Sequence, residues 1–230
     1  MNLKLSPRYV IAFLILLFLM QQIHDWAHVL AVRVTCHCWA SRAFDTWLIC
    51  GSPSPGQHAL IAISGPLINF VLLWLGWALL HPESTVEEDS VGVALVFAAQ
   101  PLDLLVAAFK GGGDLTDSLR WIQQHGPASN HHFVSRLGVV LMLLLVIPPL
   151  VRAFLRLPGY KGRLIAFPLL FLLPGWLQRL WHRELTHWFI TPDTSLLHAY
   201  ILVGAWTGLL LIGCILTARW LRKFIWELSL

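Results

Sequence analysis

The sequence predicts an all-α, polytopic membrane protein of about six transmembrane helices, and three observations predict it. Of 230 residues, 57% are hydrophobic and only 12% are charged, and the mean hydropathy of +0.68 exceeds what a water-soluble domain of this size carries. Apolar runs of about 20 residues, the length needed to cross a bilayer, recur along the chain. The connections between them are short, so no separate soluble domain fits and function must sit in or beside the lipid bilayer. A multi-pass integral protein of a bacterial inner membrane or its equivalent is expected. The formal charge of +4 comes from basic residues scattered over loops instead of gathered in a stripe, which argues against a nucleic-acid partner.

The first apolar run follows Lys4 and Arg8 and continues past its core through Gln21, Gln22, His24, Asp25 and His28, with no small-residue cleavage site after it. It reads as a retained helix over 8–34, not a removed signal. A turn-rich loop, Gly51 to Gly56, leads to a second span over 58–80. The acidic connection His81 to Ser90 precedes a third span from Val91 to Phe109, interrupted by Pro101 and Asp103. Lys110 to Gly113 break that helix before a short amphipathic piece, Leu115 to Gln124. His131 and His132 are expected in a hydrated connection. Runs over 134–155, 163–181 and 195–220 complete the count, and one of these later runs is allowed not to cross fully. The division expected is a membrane core over 1–125, three spans plus the amphipathic helix, and additional transmembrane helices over 126–230.

Charge does not orient the chain. With six spans and the N-terminus inside, nine Lys and Arg fall on the inner side and seven on the other, while the first three spans alone favour the reverse. Cys36, Cys38 and Cys50 lie near one loop and Cys214 in a span, which is not the pattern of a secreted disulfide framework and leaves the redox compartment open.

Ionisable groups inside a span cost roughly 2.5–3.5 kcal/mol each on insertion scales, so a cluster of them marks a functional site. The densest is His24, Asp25 and His28. Residues four apart on a helix share a face, so both imidazoles can hold one metal ion, with Asp25 on the flank. Among eleven histidines an HxxxH spacing alone is a common accident, and the acid directly after the first histidine narrows it. This is the layout of HExxH zinc sites, in which the acid works on metal-bound water. Without a partner element, the same residues would be a hydrated helix end. The second span adds Ser64-Gly65-Pro66-Leu67-Ile68-Asn69-Phe70, where Gly and Pro suit a membrane helix and the Asn69 amide needs a partner.

HDWAH at 24–28 followed by SGPLINF at 64–70 resembles the site-2 protease family of intramembrane zinc metallopeptidases, over about residues 15–120. The resemblance implies a three-helix metallopeptidase-like core, zinc on His24, His28 and a third-helix aspartate, and hydrolysis of peptide bonds in or near the bilayer in a transmembrane protein substrate. It implies Asp25 as the base and Asn69 as a group that positions the substrate strand or stabilises the oxyanion. Asp114, after the Gly111-Gly112-Gly113 run, is the expected third ligand, with Asp103 in Pro101-Leu102-Asp103 the alternative and Asp117 third. Asp114 also reads as a cap for the following helix.

The chain departs from the family where Glu is replaced by Asp25, a side chain more than about 1 Å shorter in reach, while a base must come within about 2.6–3.2 Å of its proton. The alternative function is therefore a catalytically inactive relative acting as a structural or assembly subunit, with partner subunits in a membrane complex. Gln21, Gln22 and Gln100 are expected to line a polar approach for water. Cys36-His37-Cys38 reads as an ordinary loop, His182, Glu184 and His187 as an interfacial belt beside Trp181 and Trp188, and the tryptophans as anchors near span ends.

Overall fold

A computed structural model describes residues 2–3, 6–42, 44, 47–123, 131–157, 159–189, 196–222 and 226–227. Helix α1, Pro7–Cys36, begins with proline in its first turn, where a preset φ and a missing N–H cost nothing, and stops at His37 in the left-handed region. Helix α2, Pro55–Leu79, is closed at its start by a reciprocal cap between Ser54 and Gln57. The next helix, α3, Val86–Ala98, starts earlier than its apolar run: Thr85 and Glu88 cap each other, and Glu87, Glu88 and Asp89 suit the positive end of the helix dipole. The acidic stretch is thus half loop and half first turn.

The third apolar run breaks into α3 and α4, Pro101–Phe109, because Pro101 cannot continue the helix and Gln100 adopts φ 54°. Helix α5, Asp114–Gln123, is the amphipathic piece, and Gln124 lies outside the described residues. His131 and His132 open α6, His131–Arg156, instead of lying in the preceding connection. A single turn, α7, Gly159–Lys161, and a π-helical turn, Gly162–Ala166, lead into α8, Phe167–Phe189, and α9 is Leu196–Leu221. Among the described residues, six helical stretches are long and apolar enough to cross a membrane, with α3 and α4 together forming one of them.

Two-residue strands β1, Asn2–Leu3, and β4, Trp226–Glu227, pair antiparallel, which brings the first and last described segments together. Between α1 and α2 a small hairpin, β2 Ser41–Arg42 and β3 Trp47–Leu48, pairs Arg42 with Trp47. The main apolar cluster joins Tyr9, Phe13 and Leu16 of α1 to Leu73, Val96, Phe97, Val146 and Leu150. Helices α2 and α3 approach closely at Gly76 and Gly92, as small residues allow in membrane helix pairs. Helix α9 lies against α1, with Trp26 donating to Thr207 at 3.1 Å and the Tyr200 hydroxyl to the Ala40 carbonyl.

Candidate metal centre

His24 and His28 project from one face of α1, a turn apart, with their Nε2 atoms 3.2 Å from each other. The carboxylate of Asp114 closes the triangle, its Oδ2 lying 3.4 Å from His24 Nε2 and 3.3 Å from His28 Nε2. These three residues could hold one metal ion. A tetrahedral ion bound at about 2.0–2.1 Å sets its donors about 3.3–3.4 Å apart, so the triangle has the dimensions of one face of such a site. Asp114 reaches it because Gly113, at φ +83°, turns the chain back where a Cβ would meet that of Ala107 at 2.7 Å. Asp114 opens α5, yet its side chain goes to the imidazoles. Burial opposes ionisation of this carboxyl, and an imidazole protonated at Nε2 would donate to it and hold it below the usual carboxylate range.

The outer nitrogens of both rings are engaged. His28 Nδ1 donates to the Ile61 carbonyl at 2.7 Å, and a carbonyl can only accept, so the ring carries its proton there. His24 Nδ1 faces Asn69 Oδ1 at 3.4 Å. Both contacts leave Nε2 lone pairs facing each other and a carboxylate, an arrangement that repels itself unless a cation or shared proton lies between them. The Asn69 amide sits behind a candidate ligand and also borders the cavity beside the triangle. Pro66 removes one ladder bond in the turn of α2 where Ile61 also accepts from Ser64, at 2.7 Å.

Sequence reading singled out the SGP string without a reason for its glycine, and the structure supplies one. A Cβ at Gly65 would lie 2.2 Å from His28 Nε2 and 2.6 Å from His24 Nε2. Only glycine lets α2 pass this close to both rings. Trp47, also unnoticed, stacks on His28 with centroids 4.5 Å apart and planes 18° apart, walling the site with a residue of the β-hairpin. No sequence signal marks it, because hairpin and helix meet only in three dimensions.

Asp25 is buried on the flank, outside the ligand triangle. Its Oδ1 accepts from Gln21 at 3.1 Å, its Oδ2 is 3.9 Å from Arg42 Nη2, and this Oδ2 has no hydrogen-bond partner among the described residues. Gln100 in turn donates to Gln21 at 3.0 Å, which links the break between α3 and α4 to the acid. Arg42 is fully buried, bonded to Gln22 Oε1 at 2.8 Å and set over Trp26, 4.3 Å from the ring centroid. Burial pushes its guanidinium down to about 10, and it stays charged at neutral pH. Two expectations change here. Gln22 serves Arg42 instead of lining an approach for water, and Trp26 and Trp47 pack on the site instead of anchoring span ends.

A cavity of about 170 Å³ adjoins the triangle, bordered by Gln21, His24, Pro66, Asn69, Gln100 and Asp114. Asp103 borders it too but pairs with Arg179 at 2.5 Å, and Asp117 pairs with Arg120 at 3.1 Å, so neither joins the histidines. Cys38 and Cys50 form a disulfide across the hairpin loop, and Cys36 is free. Glu184 accepts from Trp188, and His187 is exposed. Compared with known proteins, the chain matches no family model, no curated protein and no solved structure.

Proposed function

We propose that the chain is a membrane-embedded zinc metallopeptidase, of the kind the site-2 protease resemblance implies, that hydrolyses a peptide bond of a transmembrane protein in or near the bilayer. The observation that carries this reading is the convergence of two Nε2 lone pairs and the Asp114 carboxylate, from elements about 90 residues apart in sequence, on one point beside a cavity that Gln21, Asn69 and Gln100 also border. Two imidazoles and one carboxylate are a donor set that suits zinc and leaves a coordination position open, as catalytic sites require. Zinc there would polarise a carbonyl oxygen and lower the pKa of water toward about 7.

The chain's own residues have separable tasks. Ile61 and Asn69 fix the ring orientations. Asp25 offers a buried oxygen with an unused lone pair, Oδ2, as the place for a proton taken from water, while Gln21 holds the other oxygen. Trp47, Gly65 and Pro66 narrow the surroundings.

One observation favours a second reading, an inactive relative serving as a structural or assembly subunit of a membrane complex. Asp25 is held by Gln21 and faces Arg42, and it is a methylene shorter than the glutamate the motif calls for. Zinc analysis of purified protein, with cleavage of a model transmembrane substrate by reconstituted protein, separates the two. The enzyme binds stoichiometric zinc, cleaves, and loses cleavage in Asp25→Asn. Bound zinc with no cleavage, and complex assembly unchanged in Asp25→Asn, supports the subunit.

A further inference from the structure

The charges leave open which side of the membrane the site faces, and the loop between α1 and α2 carries an independent answer. Cys38 and Cys50 are joined there, and such bonds form and persist in oxidising compartments, whereas cytosolic thiols stay reduced. The β1–β4 pair joins the first and last described segments, one crossing away from that loop. With the disulfide loop outside, nine Lys and Arg fall on the inner side against seven outside, while the first three spans alone carry more outside, so the positive-inside rule neither opposes nor establishes this orientation. The acidic residues Glu83, Glu87, Glu88 and Asp89 then face inward at little cost, since acids weigh little in that rule.

The candidate metal centre lies toward the same face. His28 precedes the end of α1 by eight residues and His24 by twelve, about 12 and 18 Å at 1.5 Å per residue. Gly65 is a comparable distance along α2 from its start at Pro55. Helix α5 leads from the site back to that end of α2: Asp114 meets the histidines, Ser118 bonds the Ala59 carbonyl at 2.9 Å, and Trp121 stacks on His58 at 4.1 Å. The hairpin beneath the disulfide supplies Trp47 against His28 and Arg42 near Asp25.

We propose that the centre is served from the oxidising, extracytoplasmic side, and that its substrate is a polypeptide whose scissile bond lies in the outer-leaflet half of the bilayer or just outside it. The substrate part rests on the peptidase reading above. The orientation does not.

The orientation is tested in intact cells carrying the full chain with Cys36 and Cys214 replaced by serine and the disulfide retained. A membrane-impermeant maleimide is expected to modify Ser52→Cys without lysis and Glu83→Cys only after it. The reverse pattern overturns the proposal, as do free thiols at both Cys38 and Cys50 by mass spectrometry of unreduced, alkylated protein. Reconstituted protein is then given a model transmembrane segment tagged at both ends, and scission is mapped by mass. A cut in the half nearer the extracytoplasmic tag supports the proposal, and a cut in the other half overturns it. Expected labelling without any cut removes the peptidase reading while the orientation stands.

Discussion

The first half of α1 buries Tyr9, Ala12, Phe13, Leu16, Leu17 and Leu19, whereas the second half buries Gln22, Asp25 and His28 among Val29 and Val32. Both halves belong to one continuous helix, and both pack tightly. They differ in what the neighbours must provide. The first half asks mainly for shape, and α3, whose Ser90 carbonyl accepts from Tyr9, meets it with Val96 and Phe97. The second half asks for a specific atom at a specific place: a carbonyl for His28, an amide oxygen for His24, a carboxamide for Asp25. A buried polar group without such a partner costs about 1–3 kcal/mol or more, so these positions constrain α2, α5 and the hairpin together.

The contrast breaks most sharply at the histidines. Zinc measured in purified protein should fall from stoichiometric to undetectable in the His24→Ala, His28→Ala double variant. Nearly as large is the separation of two acids: Asp114→Asn should weaken zinc binding at least about 100-fold, by the loss of a ligand, while Asp103→Asn, which loses only Arg179, should leave it within about twofold. Competition with a chromophoric chelator reads both.

Gly65→Ala should lower affinity by more than about tenfold because a methyl cannot enter between the rings without moving them, whereas Gly204→Ala, with nothing within 4 Å of its added carbon, should have no effect. Asn69→Leu keeps the branched outline of the side chain and removes the acceptor behind His24, for an expected loss of about 10- to 100-fold. Leu17→Ala, in the first half, sharpens the contrast from the other side: thermal unfolding in detergent should show roughly 2 kcal/mol or more of lost stability, with zinc affinity unchanged.

Most of the helical architecture was legible in the sequence because lipid imposes a length and a composition that short motifs do not obscure. The misjudged boundaries have local causes. Thr85 and Glu88 pulled α3 into acidic sequence, and the Gln100-Pro101 step divided a run that hydropathy reads as continuous. Within the site, the HDWAH spacing placed two imidazoles on one face, since helical periodicity is a local property. Asp114 was the expected partner, with Asp103 and Asp117 as alternatives, and of the three the structure brings only Asp114 to the histidines while pairing the other two with Arg179 and Arg120.

By itself the sequence determined that this chain forms a set of helices long and apolar enough to cross a bilayer, and that two histidines and an aspartate share one turn of the first. Those are consequences of composition and of a period of about 3.6 residues. Only the tertiary structure decided which distant acid faces those histidines, that Gly65 makes room for the rings, that Asp25 turns toward Gln21 and Arg42, and that a disulfide-tied hairpin walls the site. Each of these depends on the distance between atoms far apart along the chain, and that distance is set when the helices pack.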